Sequence, residues 1–198
     1  MSKLSLAELD ARYQDYFSVE HRININIRPM LTALPAMEQL QDYIPEAFLL
    51  SSQSSDLNMS ALRSLNKLGE LATELANYLQ HQAHKIDLLL HYVLRQQDIA
   101  EQRFYSVSYG GSGCCYHANS PLEIEQALEI KLFLPNNEGA VFCYGQVVSC
   151  QQIADSWQIK VVFTRIREQD RELIVRASLH QQSKLLKQQA QQRQLSSS

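Results

Sequence analysis

Apolar positions repeat with a helical period in one part of the chain and with a strand period in others, and the changes of period mark its elements. From Leu4 to Phe17, Leu6, Leu9, Tyr13 and Tyr16 fall three and four residues apart, which predicts a short amphipathic helix. In residues 22–28 the period becomes two. Ile23, Ile25 and Ile27 alternate with Asn24, Asn26 and Arg28, so this is a half-buried strand, with Arg22, Arg28 and the asparagines on its solvent side and Pro29 ending it. Residues 30–50 are cut by Pro35 and Pro45 and predict short helical turns.

Between about 58 and 100 there is no proline and one glycine, Gly69. Ala61, Leu65, Leu68, Ala72, Leu75, Leu79, Ile86, Leu89 and Val93 follow a 3,4 repeat in which Gln82 is the polar position, a heptad pattern long enough for a coiled coil. A helix of 40 residues extends about 60 Å, more than a domain of this size needs for its own packing. The stripe therefore predicts association between copies, with Leu65, Leu68, Ala72, Leu75, Leu79, Ile86, Leu89 and Val93 at the interface. Leu71, Tyr78 and Tyr92 widen the apolar face.

After residue 101 the pattern turns to short runs rich in Val, Ile, Phe and Tyr, over about 103–167. Turn residues separate them at Gly110-Gly111, Asn119-Ser120-Pro121, Pro135 to Gly139 and Asp155-Ser156. With the strand at 22–28 that makes about six strands, and an antiparallel barrel or sandwich packages them. Residues 168–194 are glutamine-rich and predict a C-terminal helix with Leu173, Ile174, Ala177, Leu185 and Leu186 as apolar contacts. The first strand needs a sheet, and the other strands lie beyond residue 103. The expected architecture is thus α+β, one antiparallel barrel over 1–195 with a helical insertion at 30–100 after its first strand.

Composition narrows the function. The 198 residues are 45% hydrophobic and 20% charged, and 18 basic against 21 acidic residues leave a net charge of −3, which argues against a nucleic-acid binder held by counterion release. The N-terminus has no apolar core of a signal peptide and no segment approaches a membrane span, so a cytoplasmic location is expected. The four cysteines form no CxxC pair and read as buried reduced thiols. His81, His84 and His91 lack a carboxylate cluster and predict no metal site, and His117 and His180 have no triad partners. Ser112 sits in GGSGC, but strand rather than helix follows it, which does not make a nucleophile elbow. No catalytic residue is expected, and the chain reads as a binding protein rather than an enzyme.

The stretch Tyr105-Ser-Val-Ser-Tyr-Gly-Gly-Ser-Gly-Cys114 resembles the strand-turn-strand of the PilZ domain, a bacterial module that binds cyclic di-GMP. The family pattern there is Asp or Asn, any residue, Ser, two of any residue, Gly. Ser108 and Gly111 match it, and Ser106 stands at the acid or amide position. The resemblance runs through ALEIKLFLP, GAVFCYGQVVSC, WQIKVVFTRI and REQDRELIVR, over about 101–185. The long insertion is similar to the atypical, tetrameric PilZ subfamily, which implies a homotetramer built on heptad helices.

The resemblance also implies cyclic di-GMP as ligand, no cofactor, and a protein partner downstream. Ser106, Ser108, Gly111 and Gly113 would form the binding loop, with Arg22 or Arg103 supplying charge. One family feature is missing. Nucleotide-binding members carry RxxxR before the first strand, whose planar guanidinium groups grip phosphate. Here Arg22 is followed four residues later by Asn26, and Arg28 lies six away. Ser106 offers one hydroxyl in place of a carboxylate. These departures imply weak or absent nucleotide binding; the alternative is a nucleotide-independent oligomeric scaffold.

Overall fold

The computed structural model describes residues 6–14, 16–53 and 70–195. Seven strands form one antiparallel sheet: β1 Ser18–Glu20, β2 Asn24–Pro29, β3 Arg103–Gly110, β4 Gly113–Ala118, β5 Ala127–Phe133, β6 Ala140–Ile153 and β7 Ser156–Arg165. The order β3-β2-β5-β6-β7-β4 closes through pairing of β3 with β4, giving a six-stranded barrel with β1 as an extra strand on the far half of β3. Closure leaves these six strands without a free edge. The helices are α1 Leu6–Gln14, α2 Leu40–Tyr43, α3 Glu46–Gln53, α4 Glu70–Gln96 and α5 Glu168–Leu195.

The alternation read in the first strand holds on its inner face, where Ile23, Ile25 and Ile27 are buried with Leu128, Ile130, Val141, Cys143, Ile159 and Val161. Its outer face corrects the expectation. Asn26 is 2% exposed, because the chain after α4 folds back over β2 and Asp98 accepts hydrogen bonds from Asn24 (2.6 Å) and Asn26 (2.8 Å). Pro29 is paired within the strand, opposite Leu128, rather than lying beyond it. The three-residue β1 was not expected at all.

The insertion coats the outside of β5 and β6. Leu40 of α2, Ile44 in the link that follows it, Ala47 and Phe48 of α3, and Leu94 of α4 pack on Ala140, Phe142 and Tyr144, the outward residues of β6. This second core explains why β6 carries apolar residues on both faces. The Lys131 ammonium, buried beside Phe48, donates to the carbonyl of Gln97 at 3.1 Å and anchors the chain just past α4. Burial pushes the pKa of this lysine down.

The opposite side of α4 faces outward. Leu75, Leu79, Ile86, Leu89 and Val93 are between 41% and 67% exposed, and Tyr78 and Tyr92 stand beside them. Ala72 is half-buried, and Ala61, Leu65 and Leu68 lie outside the described residues. On α5, Leu173, Ile174 and Ala177 enter the barrel core and Leu185 packs against it. Leu186, expected as a contact, is instead 57% exposed, because one residue on from Leu185 it lies about 100° round the helix, away from the barrel.

Candidate ligand face at the turn between β3 and β4

Gly110 to Gly113 turn β3 into β4, and the side chains expected to bind ligand lie on either side of this turn. Ser106 is 4% exposed. Its hydroxyl donates to the carbonyl of His21 (2.7 Å) and accepts from the amide of Ile23 (3.0 Å), which staples the link between β1 and β2 to β3. Both hydrogen-bonding roles of the hydroxyl are thereby filled by backbone, so it is built into the fold rather than turned to a ligand. A bulge between Ser106 and Ser108 then resets the pairing with β4. Ser108 is half-buried and its side chain is hydrogen-bonded to the Tyr13 hydroxyl of α1; burial pushes that phenol's pKa well up.

The glycines are needed for close approach. A Cβ at Gly111 would lie 2.7 Å from Val175 of α5 and 2.8 Å from the ring of Tyr16, and one at Gly113 would lie 2.1 Å from the Val161 carbonyl and 2.9 Å from the Tyr13 ring. The N-terminal segment and α5 therefore already sit on the turn. The Arg171 guanidinium donates to the Gly111 carbonyl and lies 5.2 Å from the Tyr16 ring centre.

The arginines expected to supply charge are elsewhere. Arg22 stacks on Tyr105, 3.8 Å from the ring centre. Arg103 begins β3, about 26 Å of strand from Gly111 at 3.3 Å per residue. It pairs with Asp98 at 2.9 Å, and Arg28 pairs with Glu129. The structure thus gathers Ser108, Gly111 and Gly113 at the turn and leaves Arg22 and Arg103 away from it.

What lines the turn instead is a cleft of about 250 Å³ formed by Arg12, Tyr16, Ser112, Val162, Phe163, Glu168 and Arg171. Through Tyr16, Glu168 and Arg171 it joins an apolar groove of about 430 Å³ that continues past Val175, Arg176, Leu179 and His180. Glu168 lies 3.6 Å from Arg171 and offsets its charge. Arg12 and Tyr16 come from α1 and its link to β1, and Arg171 from α5, so no sequence spacing brings them together. The one sequence signal was the acidic, Arg-containing turn REQDRE. Among the described residues no group of three or more His, Cys, Asp or Glu could hold a metal ion, and no helix is long and apolar enough to cross a membrane.

Asp98, just past α4, is the polar centre that joins the end of that helix to β2 and the start of β3. Burial would raise its pKa, but hydrogen bonds from Arg103, Asn26 and Asn24, with the charge of Arg103, hold it below the ordinary carboxylate range. A depressed folded pKa means that the carboxylate contributes stability above its unfolded pKa and loses it as pH falls through the folded value. Wild type is therefore expected to melt higher than Asp98→Ala at neutral pH, with the gap closing below about pH 4. Thermal melts of both proteins across that range test this, and a gap that does not change with pH would refute it.

Residues 81–180 match the PilZ domain family. No curated protein sequence matches the chain. Among solved structures, a tetrameric PilZ-domain protein of Xanthomonas campestris, described as self-assembled via an unusual helical bundle, aligns over 87% of this chain and 91% of its own at 12% identity and a TM-score of 0.55. The inhibitor of motility MotI (DgrA) of Bacillus subtilis aligns over 86% of this chain and 52% of its own at 8% identity, with a TM-score of 0.47. MrkH of K. pneumonia aligns over 43% and 41% at 19% identity, with a TM-score of 0.40. The first of these similarities supports the barrel with its long preceding helix as a known arrangement.

Proposed function

The chain belongs to the PilZ domain family, and on that premise we propose that it is an atypical PilZ signalling module of the bacterial cytoplasm. It acts without catalysis, by assembling copies along α4 and presenting its barrels to a protein partner, and it binds cyclic di-GMP weakly or not at all. The outward seam of α4 carries this reading. Five apolar side chains at heptad spacing stand between 41% and 67% exposed on a helix whose other face is docked on its own barrel through Leu90 and Leu94. Exposed apolar surface in such a continuous line marks a contact site. The tetramer formed via a helical bundle by the Xanthomonas campestris protein supports four copies here.

The weak nucleotide affinity rests on the occupied turn. A ligand seated there would have to displace Tyr13 and Tyr16, find no second arginine at RxxxR spacing, and meet a serine hydroxyl already bonded to backbone. Each charged hydrogen bond forgone costs about 1.5–3 kcal/mol. Calorimetric titration of cyclic di-GMP into the purified protein is expected to give no saturable heat up to about a millimolar. A micromolar isotherm would overturn the weak-binding reading and make the protein a receptor. The same occupied turn favours a second reading, a scaffold wholly independent of nucleotide, for which the mass in light scattering stays the same with and without cyclic di-GMP.

A further inference from the structure

The outward seam of α4 is interrupted by a polar side chain. Gln82 falls near the middle of α4, between Leu79 and Ile86 in the 3,4 repeat, with Leu75 and Leu89 seven residues to either side. These four neighbours are exposed, as is Lys85 on the flank between Tyr78 and Tyr92. Gln82 itself is half-buried, and among the described residues its amide has no hydrogen-bond partner in its own chain. The opposite side of the helix is engaged with the barrel through Leu90 and Leu94. How two copies of α4 align therefore also fixes how their barrels are placed relative to one another.

We propose that Gln82 sets the register of the assembly, with copies aligned so that the Gln82 amides of two of them lie level and hydrogen-bond each other. This rests on the assembly along α4 proposed above and adds the alignment of the copies to it. A carboxamide carries both a donor and an acceptor, so two of them brought level satisfy one another. Slipping one copy by a heptad sets Gln82 opposite Leu75 or Leu89 of the other. Both amides then lose their water without gaining a partner, which disfavours that alignment. Leu75, Leu79, Ile86, Leu89 and Val93 discriminate far less, because each finds an apolar neighbour in either register. A single polar residue in an apolar seam gives up some affinity and selects one alignment in return. The role of Gln82 is the same whether or not cyclic di-GMP binds.

The test replaces the amide by charges in the full chain and follows the mass by light scattering over a dilution series. Gln82→Glu and Gln82→Lys each bring like charges level with one another, so each variant alone is expected to associate at least about a hundredfold more weakly than wild type. Mixed in equal amounts, the two are expected to regain the wild-type mass, because opposite charges then meet. Glu and Lys are both good helix formers, and Gln82→Glu sets a carboxylate three residues before Lys85, a favourable spacing within one helix. A loss of mass in that variant therefore reports contact between copies, not a weakened helix. An assembled wild type whose two variants keep its mass overturns the proposal, as does a mixture that stays as dissociated as its components. A monomeric wild type overturns the assembly itself and the register with it.

Discussion

Aspartate placed at both Leu75 and Leu79 is expected to turn the proposed assembly into a smaller species whose barrel remains folded. The two leucines are 50% and 41% exposed, so an assembly still has about half of each side chain to bury, worth about 1 kcal/mol apiece. A two-helix contact contains four such positions, and their loss amounts to about 4 kcal/mol, close to a thousandfold in Kd. Carboxylates facing an apolar seam add a desolvation cost on top. The barrel is spared because the inward side of α4 uses other residues. Ala76, Leu90 and Leu94 are buried or half-buried, Lys131 holds the carbonyl of Gln97, and Asp98 is fixed by Asn24, Asn26 and Arg103. Light scattering gives the mass and far-UV circular dichroism the fold. Wild-type mass in the double variant would mean that the seam lies elsewhere.

The outward apolar stripe of α4 was readable from the sequence because a heptad repeat is local and its period does not depend on what covers it. The barrel strands were readable for the same reason, as short β-branched and aromatic runs set between turn residues. What escaped were the features that depend on distant partners. Asn26 reads as a solvent-facing polar residue in an alternating strand, yet it is buried because Asp98, far along the chain, returns to meet it. Ser106 reads as a ligand contact from its motif position, whereas its hydroxyl joins the backbone at His21 and Ile23. β1 is too short to show a period of two. Leu186 keeps the helical spacing of its neighbours, yet only Leu185 of that pair faces the barrel.

The glycine turn was legible in part. Gly111 and Gly113 signal that something approaches the backbone closely, and the motif reads that something as a ligand. Tyr13, Tyr16 and Val175 make that approach from α1, its link to β1, and α5. A motif can thus keep its glycines while their missing side chains serve packing, which links the fold of this turn directly to the weak nucleotide binding proposed for it.

Asp170→Ala is expected to be the most destabilising single change outside the apolar cores, at about 3–5 kcal/mol and a fall of about 6–20 °C in Tm. Asp170 has no exposed surface, and its two oxygens accept from the Arg167 guanidinium at 2.6 Å and 2.8 Å in a two-pronged pair. The same guanidinium donates to the Phe48 carbonyl at 3.3 Å, so the pair ties the first turn of α5 to α3 and the insertion to the barrel. Removing the carboxylate takes its two-pronged acceptor from a guanidinium whose side chain is 13% exposed, and the loss of that charge-assisted pair is the larger part of the cost. Arg167→Met combined with Asp170→Ala removes both charges and is therefore expected to recover part of the loss, even though Phe48 then loses a donor. Thermal and urea unfolding of the two single variants and the double variant measure the coupling. If the double variant loses the full sum of the singles, the two side chains act separately and do not form a coupled tie between the insertion and the barrel.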